Sequence, residues 1–318
     1  MLTSHPLNIV FLDASSIGDT DLSPLNTLGD CTVYSDTTPE QLIERCHKAD
    51  VVITNKVKVL RKEMEALPRL KLICIAATGM NNIDLPAAAE KGITVKNVPG
   101  YSTDSVAELT FTFVLSLSHH LSYQENYVKS GDYSRGGLFT NYTRSFHELR
   151  NKEWGIIGMG TIGKRVAELA TCFGARVSYH STSGANTEAG YPHKSLFNLL
   201  KESDIVSIHA PLNDQTRFMI GYEQLCLMKP EALLVNVGRG KIVRETDLAR
   251  ALREGKLAGT GMDVFEQEPI SLENPLLAED IKDKVLLTPH IAWASIEARQ
   301  RLVDATAAHI KAFSLQQV

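Results

Sequence analysis

Three polar residues in the second half of this 318-residue chain are of the types that a carbonyl reduction needs. They are Arg239 in "NVGRG" (236–240), Glu268 in "MDVFEQEP" (262–269) and His290 in "LTPHIAWA" (287–294). Converting a 2-keto acid to a 2-hydroxy acid requires a cation that holds the carboxylate and polarises the carbonyl. It also requires an acid that protonates the developing alkoxide and a carboxylate that orients that acid. The planar fork of Arg239 matches a carboxylate through two parallel hydrogen bonds. His290 can donate the proton in one direction and accept it in the other, while Glu268 would orient the ring and favour its imidazolium form. Taken singly, each residue has an ordinary structural explanation: an arginine in a glycine turn, a glutamate on a solvated loop, a histidine satisfied in the core. Their occurrence together, each just past an apolar run, points to chemistry.

Such a reaction also needs a hydride carrier, and "WGIIGMGTIGKRVAELA" (154–170) has the residues to hold one. Gly158, Gly160 and Gly163 fit Gly-x-Gly-x-x-Gly directly after a strand pattern and at the opening of a helical one. Backbone N–H groups and the positive helix end can then face a pyrophosphate. Gly158 would permit the tight turn, Gly160 the close approach of phosphate, and Gly163 close packing of helix on strand. An acid that takes the ribose hydroxyls is expected about twenty residues further on. Here "VSYHSTSGAN" places His180, Ser181 and Thr182 there, with no Asp or Glu before Glu188 and no cation before Lys194. Ser181 and Thr182 can hydrogen-bond a hydroxyl or a phosphate, so the residues leave NAD and NADP both open.

The elements that must position these groups alternate in type. The runs "LNIVFLD" (7–13), "VVITN" (51–55), "KLICIAAT" (71–78) and "ITVKNV" (93–98) read as strands, with helical patterns such as "PEQLIERCHK" and "LPAAAEKG" between them. One long helix is expected over "STDSVAELTFTFVLSLSHHLSY", opened by Ser102 or Thr103 with Asp104 in its first turn. The polar stretch at 129–153 reads as a connecting arm, either a plain surface loop or a segment that packs on a partner subunit. A second series of six strand candidates follows, "WGIIG", "ARVSYH", "DIVSIHAP", "ALLVNVG", "GTGMDVF" and "KVLLTPH", and a final amphipathic helix closes the chain. The expected fold class is α/β, with doubly wound parallel sheets. Carboxyl ends of strands in such sheets are where ligands sit, so Arg239, Asp263, Glu268 and His290 could converge there.

Bulk properties narrow the function classes. The length suggests two domains, and 43% hydrophobic with 22% charged residues is ordinary for a folded globular chain. A formal charge of −4 without a basic stripe argues against a nucleic-acid partner. No segment has the roughly 18 apolar residues of a membrane helix, and the N-terminus lacks a signal-peptide pattern. Five scattered cysteines, never in a Cys-x-x-Cys pair, fit a reducing compartment, so a cytoplasmic protein without a bound metal is expected.

The segments "GMGTIG", "NVGRG", "GMDVFEQEP" and "TPHIAWA" stand in the order found in D-2-hydroxyacid dehydrogenases. "ICIAATGMNNID" and "NVPGYSTDSVAEL" resemble that family's substrate loop and interdomain helix, so the resemblance covers nearly the whole chain. It implies a Rossmann nucleotide-binding domain (99–288) inserted into a flavodoxin-like substrate or catalytic domain (1–98 and 289–318). It implies Arg239, Glu268 and His290 as the catalytic trio, with Asp263 near the nicotinamide end. Further cofactor contacts would come from Thr161, Ile162, Ala210, Pro211, Val237 and Gly238. Asn55 and the backbone amides of Thr78, Gly79 and Met80 would hold the substrate. Within the family, "HIAWASIEARQR" with Trp293 looks most like glycerate dehydrogenases, also called hydroxypyruvate reductases. The resemblance also implies a homodimer through 120–150. D-lactate and D-3-phosphoglycerate are the competing substrates, and a non-catalytic NAD-sensing protein, as in the related C-terminal-binding-protein corepressors, is the competing class. Two departures from the family pattern are Ser181 in place of the ribose-binding acid and Asn151 in place of a glycine before the strand.

Overall fold

The structure is a computed structural model that describes residues 6–186 and 190–316. The chain divides into two compact units, Met1–Ser102 with Ala294–Val318 and Thr103–Trp293. These lines fall four or five residues beyond the boundaries expected from sequence, which places His290 in the nucleotide-binding unit. The physical reason lies in the carboxylate of Asp263, which accepts from the Ile291 and Ala292 N–H groups and so holds the histidine segment to its own sheet.

The first unit is a five-stranded parallel sheet, β1 (Leu7–Phe11), β2 (Gly29–Val33), β3 (Val51–Thr54), β4 (Leu72–Ile75) and β5 (Thr94–Asn97), in the order β2-β1-β3-β4-β5. That order is the flavodoxin-like one. Its helices are α1 (Ser23–Asn26), α2 (Pro39–Cys46), α3 (Arg61–Ala66), α4 (Leu85–Glu90) and the last helix of the chain, α12 (Ile296–Gln316). Strands β3 and β4 are buried along their whole length, as a sheet covered on both faces requires. One face packs Val10, Val52, Ile73 and Ile75 against Leu42, Met64 and Ala87 of the helices. Strand β2 was not expected from the sequence: it is an edge strand, mostly exposed, with only Cys31 and Val33 as larger apolar residues.

The second unit holds α5 (Thr103–Ser118), α6 (Leu121–Lys129), α7 (Asp132–Gly136), β6 (Glu153–Ile157), α8 (Thr161–Cys172), β7 (Arg176–His180) and α9 (Leu196–Glu202). After these come β8 (Ile205–Ile208), α10 (Tyr222–Leu225), β9 (Leu233–Asn236), α11 (Glu245–Arg253), β10 (Gly259–Met262) and β11 (Val285–Leu287). The sheet order is β11-β10-β9-β8-β6-β7, all parallel, and a single parallel bridge from Tyr179 to His193 extends it past β7. With that vestigial edge the sheet has the dinucleotide-binding order. Alternation sorts the strands' residues into two cores. Ile157, Val206, Ile208 and Leu234 pack on α9, α10 and α11, while Trp154, Ile156, Ile205 and Val235 pack on α5 and α8.

The single helix expected over 102–123 is two. Helix α5 ends at Ser118, His120 takes a left-handed conformation (φ 51°), and α6 starts at Leu121. The apolar pattern runs on through the break, but only α5 buries it: seven of its residues are buried, against none in α6. Asn151 likewise sits at φ 64°, so the asparagine takes a left-handed turn at the position where the resemblance led to the expectation of a glycine.

A polar chain crosses the second core. Trp154 Nε1 donates to Ser207 Oγ at 3.0 Å, and His209 Nε2 lies 3.0 Å from the same hydroxyl. His209 Nδ1 is shielded from solvent without a partner among the described residues, and burial pushes the imidazole down to about 3. The unfolded chain therefore takes up a proton near pH 6.5 that the folded unit refuses, so this residue removes stability as the pH falls below that value. Both tryptophans lie in this unit, so their fluorescence follows its unfolding. Lowering the pH from 7 to 5 should cost wild type about 2 kcal/mol more than His209→Gln in urea titrations. Parallel pH dependences for the two proteins would contradict this.

Candidate active site

Strand register places the motif segments on one edge. Ile157 aligns with His180 and Ile208, Ile208 with Asn236, Asn236 with Met262, and Met262 with Leu287. Gly158, Ser181, Val237, Asp263 and Thr288 therefore leave the sheet side by side, at the carboxyl edge where ligands bind in open parallel sheets.

The glycine turn has the three properties expected of it. Gly158 has φ 93°, and a Cβ there would meet Ala210 N at 2.8 Å. A Cβ on Gly163 would collide with the Gly158 carbonyl, whereas one on Gly160 would meet nothing within 4 Å. The open side at Gly160 is where a ligand can approach backbone. Among the described residues, no acceptor is found for the N–H groups of Thr161, Ile162 and Gly163, and Lys164 N–H is the first to bond back, to Gly160 O. The first turn of α8 carries no acidic side chain. These donors fit the pyrophosphate of a dinucleotide. Ala210 is buried beside the turn, Pro211 is exposed, Val237 is buried and Gly238 half-buried. At the end of β7, Ser181 is buried and its Oγ accepts from Asn186 N–H at 3.3 Å. Asn186 Nδ2 reaches Met159 O at 3.4 Å, which links this loop to the glycine turn. Glu188 lies outside the described residues, and Lys194 is paired with Glu202 at 2.6 Å.

His290 and Glu268 meet directly: Nδ1 donates to Glu268 Oε2 at 2.7 Å, with the two side chains 29% and 37% exposed. Nδ1 is the ring nitrogen engaged by Glu268, and the side chain as a whole stays partly exposed. Glu268 Oε1 accepts Phe265 N–H at 3.0 Å, which holds the carboxylate's orientation. His290 itself has φ 55°. Its backbone is held there by Asp263, whose carbonyl accepts His290 N–H at 2.8 Å.

Asp263 is enclosed by hydrogen-bond donors. Its side chain has no exposed surface: Oδ1 accepts from Thr288 Oγ1 at 2.6 Å and Ile291 N–H at 2.8 Å, and Oδ2 from Ala292 N–H at 2.9 Å. Burial raises its carboxyl above the ordinary range, against the lowering by these donors. The geometry makes it a support of the histidine loop at the carboxyl edge of the sheet. Sequence reasoning singled out the residue but had no signal for its burial.

Arg239 is exposed, donates through Nη1 to Gly238 O at 2.8 Å, and has no carboxylate partner among the described residues. Its turn is built by buried Asn236, which accepts Gly238 N–H through Oδ1 and donates through Nδ2 to Arg239 O. The next residue, Gly240, packs so closely on Phe265 that a Cβ would overlap its backbone. That contact ties the arginine segment to the glutamate segment.

The first unit offers a separate set of donors. Asp13, buried at the end of β1, accepts the N–H groups of Asn55, Lys56 and Val57. Asn55 Nδ2 is buried with no hydrogen-bond partner. Among the described residues no acceptor is found for the N–H groups of Thr78, Gly79 and Met80, although Thr78 Oγ1 bonds Val98 O and Thr78 O accepts from Asn97. No group of three potential metal ligands occurs among the described residues, and none of their helices is long and apolar enough to cross a membrane.

Comparison with known proteins agrees with this geometry. Residues 111–292 match the family model described as "D-isomer specific 2-hydroxyacid dehydrogenase, NAD binding domain". The chain is 34% identical over 316 residues to a hydroxypyruvate reductase of Blautia hydrogenotrophica, covering 96% of this chain and 97% of that one. It is 35% identical over 309 residues to a glycerate dehydrogenase of Methylorubrum extorquens, covering 96% and 95%. Among solved structures, a D-lactate dehydrogenase from Aquifex aeolicus complexed with NAD and lactic acid superposes with a TM-score of 0.83 at 31% identity, covering 98% and 97%. Sheet order, glycine turn, Glu268–His290 pair and these likenesses converge: the chain belongs to the D-isomer-specific 2-hydroxyacid dehydrogenases, two-domain α/β oxidoreductases that use a nicotinamide dinucleotide.

Proposed function

We propose that this enzyme interconverts hydroxypyruvate and D-glycerate, and that Arg239, Glu268 and His290 do the work at the substrate. The observation that carries this reading is the 2.7 Å hydrogen bond between Glu268 and His290. It keeps one proton on Nδ1, so that Nε2 is the nitrogen that takes the second proton in the imidazolium and delivers it. When bound, the reduced nicotinamide supplies the hydride to carbon C2 of the keto acid. His290 delivers its Nε2 proton to the carbonyl oxygen as the alkoxide develops, and in oxidation takes it back. Glu268 balances the imidazolium charge and keeps the ring from turning. The exposed guanidinium of Arg239 takes the substrate carboxylate and draws charge onto the carbonyl oxygen. The N–H groups of Thr78, Gly79 and Met80 and the free Nδ2 of Asn55 are assigned to the remaining substrate oxygens.

The choice of substrate rests on the hydroxypyruvate reductase and glycerate dehydrogenase relatives, with D-lactate and D-3-phosphoglycerate as competitors. NAD is the expected cofactor, with NADP admitted because Ser181 presents no carboxylate to repel a 2'-phosphate. We place the enzyme in the cytoplasm, in keeping with five unpaired thiols. A homodimer through 120–150 is supported by the exposed apolar side chains of Leu121, Val128, Leu138, Phe139, Tyr142 and Phe146.

Oxidation of NADH and of NADPH should be followed with hydroxypyruvate, glyoxylate, pyruvate and phosphohydroxypyruvate. Fast turnover of hydroxypyruvate is expected; tight cofactor binding without turnover of any acid would favour a nucleotide sensor. Arg239→Ala should lower kcat/KM for hydroxypyruvate about 100-fold or more while leaving nucleotide affinity within twofold. Unchanged turnover would remove Arg239 from this role. In sedimentation equilibrium the protein should have twice the 35.0 kDa chain mass, and Phe139→Asp with Tyr142→Asp should halve it. A wild-type monomer would overturn the dimer.

A further inference from the structure

One buried acid in the second unit has no part in the chemistry described so far. Glu245, the first residue of α11, is 5% exposed. It exchanges two hydrogen bonds with Glu266: Glu245 N–H donates to Glu266 Oε1 at 2.8 Å, and Glu266 N–H donates to Glu245 Oε1 at 2.6 Å. Its second oxygen accepts from Asn274 Nδ2 at 2.6 Å. Glu245, Glu266, Glu268 and Asn274 line one polar cavity together with Lys241. Burial raises the Glu245 carboxyl above its ordinary range, opposed by the Glu266 and Asn274 donors and reinforced by the charges of Glu266 and Glu268.

The clamp joins two short segments that the reaction needs at a fixed separation. Glu245 follows Arg239 by six residues, through the turn at Gly240–Ile242. Glu266 precedes Glu268 by two, inside the stretch whose Phe265 N–H orients the Glu268 carboxylate. The turn between Arg239 and α11 is tied to 218–220 by one parallel bridge, Val243 with Ile220, whereas the stretch from Glu266 to Glu268 lies in no strand or helix. A buried carboxylate that accepts a backbone N–H and a side-chain amide is a stiff link, because releasing it would strand charge and donors away from water.

We propose that Glu245 is a positioning residue: its carboxylate staples the Glu268-bearing loop to the Arg239-bearing turn and thereby sets where Glu268 holds His290. This rests on the trio's roles proposed above. Displacement of the loop would change the speed of the chemical step without touching the glycine turn after β6 or Ser181 after β7, where the nucleotide's pyrophosphate and ribose are assigned. Misplacement by about 1 Å can slow a reaction on the order of 100-fold.

The test compares wild type with Glu245→Ala, Glu245→Gln and Asn274→Ala, using hydroxypyruvate and NADH. Glu245→Ala should lower kcat between about tenfold and 100-fold, with nucleotide affinity within twofold. Glu245→Gln, which keeps an oxygen for Glu266 N–H, should recover most of the loss, and Asn274→Ala should fall between. In parallel, the downfield proton resonance of the His290–Glu268 hydrogen bond, assigned by its absence in His290→Gln, should shift or broaden in Glu245→Ala. A folded Glu245→Ala enzyme with wild-type kcat and an unmoved resonance overturns the proposal. If Glu245→Ala does not fold, Asn274→Ala with wild-type kcat and resonance overturns it. A wild-type protein that reduces no keto acid refutes the proposed function instead, and the resonance then decides the role of Glu245 alone.

Discussion

The site depends on strand register. Ile157, His180, Ile208, Asn236, Met262 and Leu287 end six parallel strands level with one another, and the chemistry-bearing residues follow within one to six positions of those ends. A parallel ladder buried on both faces cannot slip without moving its whole apolar set, because side chains alternate between faces. The two cores on either side of this sheet therefore fix the positions of Gly158, Arg239 and His290 even though all three lie outside the strands. Stability and function meet at that point: burial of Val206, Leu234 and Val235 locates the polar groups just beyond them.

Past the strand ends, buried acids take over from the ladder. Asp263 turns the segment 288–292 so that His290 adopts a left-handed backbone conformation, and Glu245 with Glu266 holds the approach to Glu268. Asp13 does the same service in the other unit by gathering the N–H groups of residues 55–57. Each is a carboxylate enclosed by backbone donors, an arrangement that is costly to disrupt because the donors would lose their partner away from water. Short loops can then carry reactive groups with the placement usually expected of regular elements. The reactive groups themselves keep partial exposure, as proton exchange with a substrate demands.

Much of this was legible in the sequence where residue type and spacing alone carry the meaning. The glycine triplet stood between a strand and a helix as read, and Glu268 and His290 proved to be hydrogen-bonded. Less legible were features that depend on what an element packs against. Strand β2, at an edge, offers only Cys31 and Val33 as an apolar signal, and the pattern through His120 continues although only its first part is buried. Asp263 and Glu245 were harder still, since a buried structural acid and a solvated one look alike in sequence. The same holds for the boundary between units: nothing in "LTPHIAWA" says that the histidine is bound to the sheet before it rather than to the helix after it.

In the proposed reaction the nitrogen of His290 left free by Glu268 delivers the proton as the keto acid is reduced. Single-turnover oxidation of enzyme-bound NADH by hydroxypyruvate, wild type against His290→Gln at pH 7, tests it most directly. The step in His290→Gln should be slower by a factor of about 10² to 10⁴ with nucleotide affinity unchanged. A rate within tenfold of wild type would contradict it.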